Sequence, residues 1–256
     1  MSYRQGLYPI IKTENLAYNI FSIEIYCPHI VSQTKPGQFL NIKIDGFFLR
    51  RPISICSVDK NNGTLRIVFA IKGEGTKKLS ELHEGMTADI LAPLGNGFTI
   101  EKDKKIILVG GGIGVPPMVS LSQEYKKNSI AISGFRDASL VILQKELQEN
   151  CQNTILCTDD GSAGIHGFVT EPLEDLLKKG GYDEIAACGP LPMLKNIAKV
   201  AEKYDVPCEV SMEERMGCGI GACLVCEIDA KTENGEIVTK HVCKDGPVFD
   251  SKEVFF

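Results

Sequence analysis

At 256 residues, with 43% hydrophobic and 24% charged residues, the chain is long enough to bury a substantial core and to divide into two or three domains. Its formal net charge of -5 is spread without a basic block, which argues against a nucleic-acid partner, because phosphate contacts need clustered Lys and Arg. The start, MSYRQGLYPIIKTEN, has no apolar leader and no run approaches a membrane-spanning length, so the expectation is a cytoplasmic protein that does not enter a membrane.

The first hundred residues read as strands and turns. Asn19–Cys27 alternates apolar and polar residues, Lys35–Ile44 runs from a Pro-Gly turn into a strand, and LRRPISICSV, TLRIVFAIK and TADILAPLG continue the pattern. Turn signals at Asn62-Gly63 and Glu84-Gly85 punctuate it. Short strands so spaced predict a closed antiparallel barrel over 1–100, interrupted by a helix at Thr76–Leu82. Within it, Arg51-Pro52-Ile53-Ser54 and then Gly73–Leu82 carry candidate binding groups. Arginine offers a fixed fork of donors to a phosphate, serine a hydroxyl to a ring edge, and Gly75 and Thr76 open a helix whose N–H groups suit a second phosphate.

After the charged stretch EKDKK the texture changes. IILVGGGIGVPPM is an apolar strand, a glycine turn and a helix start, with Pro116 or Pro117 suited to the first turn. Four more strand-like runs follow (NSIAISGFR, NTILCTDD, DEIAACG, VPCEVSM), and Leu191–Tyr204 reads as a helix with Leu191, Leu194, Ile197, Ala198 and Ala201 on its apolar face. Alternating strands and helices predict a parallel sheet covered on both faces over 101–212. Gly110 and Gly112 fit a dinucleotide loop, but Val115 stands where its third glycine belongs, so a ligand-free tight turn remains an alternative.

Ten cysteines without an export leader predict thiols rather than a disulfide framework. Cys27, Cys56, Cys151, Cys157 and Cys208 read as packing residues, whereas Cys188 is kept as a candidate. In MGCGIGACLVCEID, Cys218, Cys223 and Cys226 are spaced C-x4-C-x2-C, and sixteen residues separate Cys226 from Cys243. That order is the plant-type pattern for a [2Fe–2S] cluster. Gly217, Gly219 and Gly221 suit a loop that must turn tightly around it. Zinc, or redox and structural thiols, are the alternatives. A strand pair around Asn234-Gly235 completes a small third unit over 213–256. His29, His83, His166 and His241 have no metal-like spacing and read as surface positions, with His241 alone near enough in sequence to donate towards the cluster.

These motifs, in this order, resemble the ferredoxin–NADP reductase superfamily. CGPLPML looks like its nicotinamide-side motif and TDDGSAGIHGFV like its second nucleotide loop. EERMGCGIGACLVC followed by CKDGPVF is similar to the electron-transfer subunits of NAD-linked dihydroorotate dehydrogenases. The resemblance implies an α+β multidomain chain: an N-terminal antiparallel flavin-binding β-barrel, a central α/β parallel-sheet nucleotide-binding domain and a C-terminal [2Fe–2S] domain. It implies FAD on Arg51, Pro52, Ile53, Ser54, Val68, Phe69, Ala70, Gly75 and Thr76, with Phe69-Ala70 replacing the commoner Tyr-Arg and Lys72 a candidate substitute for the missing charge. NAD falls on Gly110, Gly111, Gly112, Gly114, Asp160, Cys188, Gly189 and Pro190, and the cluster on Cys218, Cys223, Cys226 and Cys243. Asp137, Asp159 and Asp160 favour NAD over NADP. The implied activity is a relay from the FMN of a separate catalytic subunit, two of each chain, through the cluster and FAD to NAD+, with the Cys218–Cys226 loop bordering that partner. Competing readings are a bifurcating ferredoxin:NADP oxidoreductase or sulfide/sulfite reductase subunit, and a redox-sensing flavoprotein without turnover.

Overall fold

Six strands close into an antiparallel barrel in the computed structural model, which describes residues 3–232 and 234–256. They are β1 (Arg4–Ala17), β2 (Ile20–Tyr26), β3 (Phe39–Ile42), β4 (Arg51–Asp59), β5 (Thr64–Ala70) and β6 (Thr87–Leu94), in the order β1-β2-β5-β4-β3-β6. Alternation puts Ile23, Leu40, Ile42, Ile55, Ile67 and Phe69 inside the barrel. Short helices α1 (Pro28–Val31) and α2 (Glu74–Leu79) sit at its ends. The expected helix at Thr76–Leu82 therefore starts two residues earlier and stops at Leu79. Thr76 is an inner residue whose hydroxyl accepts from the Gly73 N–H at 3.2 Å, so the cap lies at Gly73. β1 was not expected as a strand: only Ile10 of its fourteen residues is buried, so it carries little alternation to read.

The second unit is a sheet ordered β10-β9-β8-β7-β11-β12-β15. Its strands are β7 (Ile106–Gly111), β8 (Ser129–Phe135), β9 (Asn153–Thr158), β10 (Ile165–His166), β11 (Glu184–Cys188) and β12 (Cys208–Ser211), all parallel. Helices α3 (Val115–Tyr125) and α4 (Gln144–Asn150) cover one face, α5 (Thr170–Lys179) and α6 (Leu191–Lys203) the other. In α6, Leu194, Ile197 and Ala201 are buried as expected, but Leu191 sits at the exposed first turn, beyond the reach of the sheet.

The remaining strands are a hairpin, β13 (Glu227–Lys231) with β14 (Ile237–His241), and β15 (Val248–Asp250), which lies antiparallel to β12. The parallel sheet thus has an antiparallel edge strand contributed by the cysteine-bearing segment. Two apolar cores join the units. Cys56 and Val68 of the barrel pack with Val115, Met118 and Val119 of α3. Phe39 and Leu94 pack with Cys226, Val242 and Cys243. Among the described residues no helix is long and apolar enough to cross a membrane.

Candidate functional site

The strand order places a topological switch between β7 and β11, since the chain winds outward from β7 to β8 on one side and from β11 to β12 on the other. Ligands of open α/β sheets bind in the crevice at the carboxyl ends of such strands. Here Gly110 and Gly111 end β7, with Gly112 and Gly114 just beyond it, and Cys188 ends β11, with Gly189 and Pro190 just beyond it. The two loops interlock: a Cβ on Gly111 would stand 3.0 Å from Pro190 Cδ, and one on Gly189 would stand 3.1 Å from Gly111 Cα. Gly112, at φ +53, faces open space. Glycine serves here for close approach of backbone to backbone.

Cys188 is half-buried, and burial pushes its thiol up to about 12 against the opposing hydrogen bond with Ser211. Asp160 lies at the end of β9, where its Oδ1 accepts from the Ser162 hydroxyl at 2.6 Å and the Ser162 N–H at 2.9 Å. These bonds hold its carboxyl below the usual range. Asp137 accepts from the Ser139 N–H in the same way at 2.9 Å, and the Ala138 N–H donates to Ser162 Oγ, so the two acidic loops are stitched together.

On the barrel, Arg51 meets α2. Its Nη1 donates to the Leu49 carbonyl at 2.6 Å and its guanidinium lies over the Phe47 ring, 5.0 Å from the centroid. Thr76 Oγ1 accepts from the Lys72 N–H at 2.8 Å, drawing that loop over the helix start. Register puts Ser54 opposite Phe39 and Pro52 opposite Asn41. Paired residues share a face, and Phe39 lies on the outside of the barrel. Pro52 and Ser54 therefore face outward, between α3 and the cysteine segment, whereas Ile53 packs against the interior. Val68 faces α3. Phe69 does not present its ring to this face: it is 2% exposed inside the barrel, stacked on Phe21 at 6.1 Å between centroids. Of the residues that the resemblance puts on FAD, Phe69 therefore has its ring on the inner side of the barrel, opposite to Val68. Lys72 is engaged with Glu213 at 3.2 Å on the surface.

All ten cysteines are free. The four of the C-x4-C-x2-C…C set form two pairs. The Cys218 N–H donates to Cys223 Sγ at 3.3 Å, and the Cys243 N–H to Cys226 Sγ at 3.4 Å. A third bond, from the Gly221 N–H to Cys243 Sγ at 3.1 Å, draws the pairs together. Among the described residues no three His, Cys, Asp or Glu side chains gather as a single metal ion requires. Two adjacent thiol pairs suit a two-iron cluster held by four cysteines. Gly219 and Gly221 have φ of +76 and +82, conformations that let successive N–H groups turn inward. Burial opposes ionisation of Cys218, but the N–H groups of Ile220 and Ala222, at 3.4 and 3.2 Å, outweigh it and bring the thiol down to about 7. Cys226 and Cys243 are buried, while Cys223 is exposed beside exposed Ile220, Leu224 and Val225. The charged contacts of His241 are with carboxylates. Its ring lies between Glu227 and Asp245, at 3.4 and 3.5 Å.

Sequence reasoning missed two asparagines that touch this segment. Asn41 Nδ2 donates to the Cys218 carbonyl at 3.3 Å, and Asn96 Nδ2 to the carbonyls of Lys244 and Asp245 at 3.2 and 3.0 Å. Neither lies in a motif.

Residues 213–255 match the iron-sulfur cluster binding domain of dihydroorotate dehydrogenase B. A dihydroorotate dehydrogenase B (NAD(+)), electron transfer subunit, from Geobacillus sp. (strain WCH70) is 36% identical over 260 residues, covering 98% of each chain. One of the same description from Caldanaerobacter subterraneus subsp. tengcongensis is 40% identical over 223 residues, covering 86% of this chain and 87% of its own. Among solved structures, that of an NADH-dependent reduced ferredoxin-NADP oxidoreductase, studied for flavin-based electron bifurcation, superposes with a TM-score of 0.86 at 29% identity, covering 98% of this chain and 90% of that one. A ferredoxin reductase of carbazole 1,9a-dioxygenase shares the fold at a TM-score of 0.69, with 17% identity over 81% of this chain and 68% of that one. Because the likeness runs from the barrel through the sheet to the four cysteines, the chain belongs to the family of electron transfer subunits of dihydroorotate dehydrogenase B.

Proposed function

We propose that this chain is the NAD-reducing subunit of a dihydroorotate dehydrogenase, taking electrons from a catalytic partner that oxidises dihydroorotate and delivering them to NAD+ in pyrimidine (UMP) biosynthesis. The observation that carries this reading is a juxtaposition. The outward face of β4, with Pro52 and Ser54, lies between α3 of the nucleotide unit and the segment bearing the four thiols. When bound, a [2Fe–2S] cluster supplies one-electron transfer and FAD interconverts one-electron and hydride transfer, the combination that NAD+ reduction from such a source needs.

The chain's own residues position these groups. Arg51 and the N–H groups at Gly75 and Thr76 hold the flavin phosphates, while Ser54 offers its hydroxyl to the ring edge. Val68 and Ala70 line the same face with their side chains, and Phe69 contributes backbone only. The loops at Gly110–Gly114 and Cys188–Pro190 receive the nicotinamide nucleotide at the switch point. Cys188 stands there as a neutral thiol that shapes the pocket, and Asp160, kept ionised by Ser162, disfavours a 2′-phosphate. Cys218, Cys223, Cys226 and Cys243 ligate the cluster, and the exposed apolar residues beside Cys223 border the partner. That partner holds FMN and the dihydroorotate site, with two copies of each subunit in the complex. The ten free thiols accord with a reducing cytoplasm.

The test is anaerobic co-expression with the FMN subunit, followed by iron, sulfide and flavin analysis and a dihydroorotate–NAD+ assay. FAD, two irons with labile sulfide per chain, and NAD+ reduction that disappears without this chain are expected. Zinc in place of iron would overturn the cluster assignment. The likeness to the bifurcating oxidoreductase supports a second reading; a loaded chain inert with dihydroorotate but active with ferredoxin and NADP would favour it.

A further inference from the structure

The cysteine segment is fastened to the barrel at both of its arms by side-chain amides that no motif contains. We propose that Asn41 is a positioning residue that fixes the cluster segment against the flavin-facing side of the barrel, with Asn96 securing the second arm. The inference rests on the functional reading above.

Asn41 lies on β3 between Leu40 and Ile42, whose side chains fill the barrel interior, so its own side chain points outward. It is paired in register with Pro52, the centre of the proposed flavin strand. It is also completely buried, at 0% exposure, with the cysteine loop packed against its amide. The contact is close: a Cβ on Gly219 would stand 2.6 Å from Asn41 Nδ2 and 3.4 Å from a Leu94 methyl. Asn41 thus touches the flavin strand on one side and, through Nδ2–H to the Cys218 carbonyl at 3.3 Å, the cluster loop on the other.

The amide is a poor choice for packing alone. Among the described residues its Oδ1 is buried without a partner, which costs free energy that an apolar side chain of similar volume would avoid. The bond to Cys218 is what the amide supplies and leucine would not. Holding that carbonyl fixes the turn from which Ile220 and Ala222 donate N–H groups to Cys218 Sγ. Hydrogen bonds to cluster sulfurs tune the potential, and groups behind the ligands set their orientation. Asn96 acts on the Cys226/Cys243 pair: besides its two side-chain bonds, its N–H donates to the Gly246 carbonyl at 2.5 Å, just beyond Cys243. One asparagine therefore serves each thiol pair.

The experiment uses the full chain loaded with FAD and cluster, as wild type, Asn41→Leu, Asn41→Ala and Asn96→Ala. Cluster EPR and midpoint potential are measured by redox titration, cluster reduction by NADH in stopped flow, and flavin function by NADH-driven dye reduction. In the Asn41 variants, cluster reduction is expected to slow about 10- to 100-fold, the usual effect of losing a group that supports a ligand. The g-values and potential should shift, with flavin absorbance and dye reduction unchanged. Flavin absorbance also reports folding, and the two Asn41 substitutions differ in size, so one reads out if the other fails to fold. Wild-type spectra, potential and rates in the folded Asn41 variants would overturn the assignment. A wild-type chain that takes up neither iron nor FAD would overturn the functional reading beneath it.

Discussion

The guanidinium of Arg51 occupies the space that a side chain at position 75 would need: a Cβ on Gly75 would stand 2.6 Å from Arg51 Nε. Because the crowding atom belongs to a flexible side chain, Gly75→Ala should displace Arg51 without unfolding the barrel. FAD affinity should fall about 10- to 100-fold, as expected for losing a charge-assisted bond of ~1.5–3 kcal/mol. Arg51→Ala should match it, and Arg51→Lys should recover part of the loss, since lysine keeps the charge and not the fork. Fluorescence titration of the apoprotein with FAD, beside a thermal melt, measures both.

The four thiols divide by environment. Cys226 and Cys243 belong to the core with Phe39 and Leu94, whereas Cys218 and Cys223 lie nearer the surface. Serine at any of the four should abolish the cluster EPR signal after reduction while leaving FAD bound. Serine at Cys226 or Cys243 should in addition lower the melting temperature of the metal-free protein, because a hydroxyl is placed in an apolar core. Equal melts for all four would show that the core position carries no weight.

Cys188 has its thiol pushed up to about 12 by burial. At pH 8 about one molecule in ten thousand carries the thiolate, the reactive form. Its alkylation by iodoacetamide should therefore be slow at pH 8 and rise about tenfold per pH unit towards pH 10. The rate of NADH-driven dye reduction should show no titration between pH 7 and 9 that Cys188→Ala removes. Such a titration would mean that the thiolate takes part.

Arg66 of β5 joins the barrel to α4. Its Nη1 donates to Glu146 Oε1 at 2.7 Å and its Nε to Ser22 Oγ at 2.8 Å, with the two charged side chains 19% and 33% exposed. Removing the acceptor takes the charged partner from Nη1 of a largely buried cation, which keeps its bond to Ser22. Glu146→Ala should lower stability by about 1.5–3 kcal/mol, or roughly 3–10 °C in melting temperature for a protein of this size. Glu146→Gln, which keeps an acceptor oxygen, should lose less. Scanning calorimetry of the three proteins checks the order.

Most of the barrel, the sheet and the cysteine set were legible because their signals are local. Alternation, glycine turns and C-x4-C-x2-C are each contained in about ten residues. What failed to show was decided by distant partners or by a single step of alternation. β1 escaped because only Ile10 is buried along it. The resemblance places Phe69 in the FAD set together with Val68 and Ala70, but a motif does not say which way each side chain points, and one step of alternation turns the Phe69 ring inward. β15 is three residues long and acquires its partner only from β12. Asn41 and Cys218 are 177 positions apart, and nothing near Asn41 in sequence announces a metal. Asp160 was readable as an acidic position, but its stitching through Ser162 to Ala138 was not.

The cysteine-bearing segment leaves the sheet after β12 and rejoins it at β15, and the Met212 N–H donates to the Pro247 carbonyl at 2.8 Å where the two meet. It is a cassette spliced between neighbouring strands rather than a tail. Cutting the chain after Ser211 would take an edge strand from the sheet along with the cysteines. Excising the cassette and bridging its anchors with a short turn would spare that strand, and should yield a stand-alone flavin reductase with its iron chemistry removed.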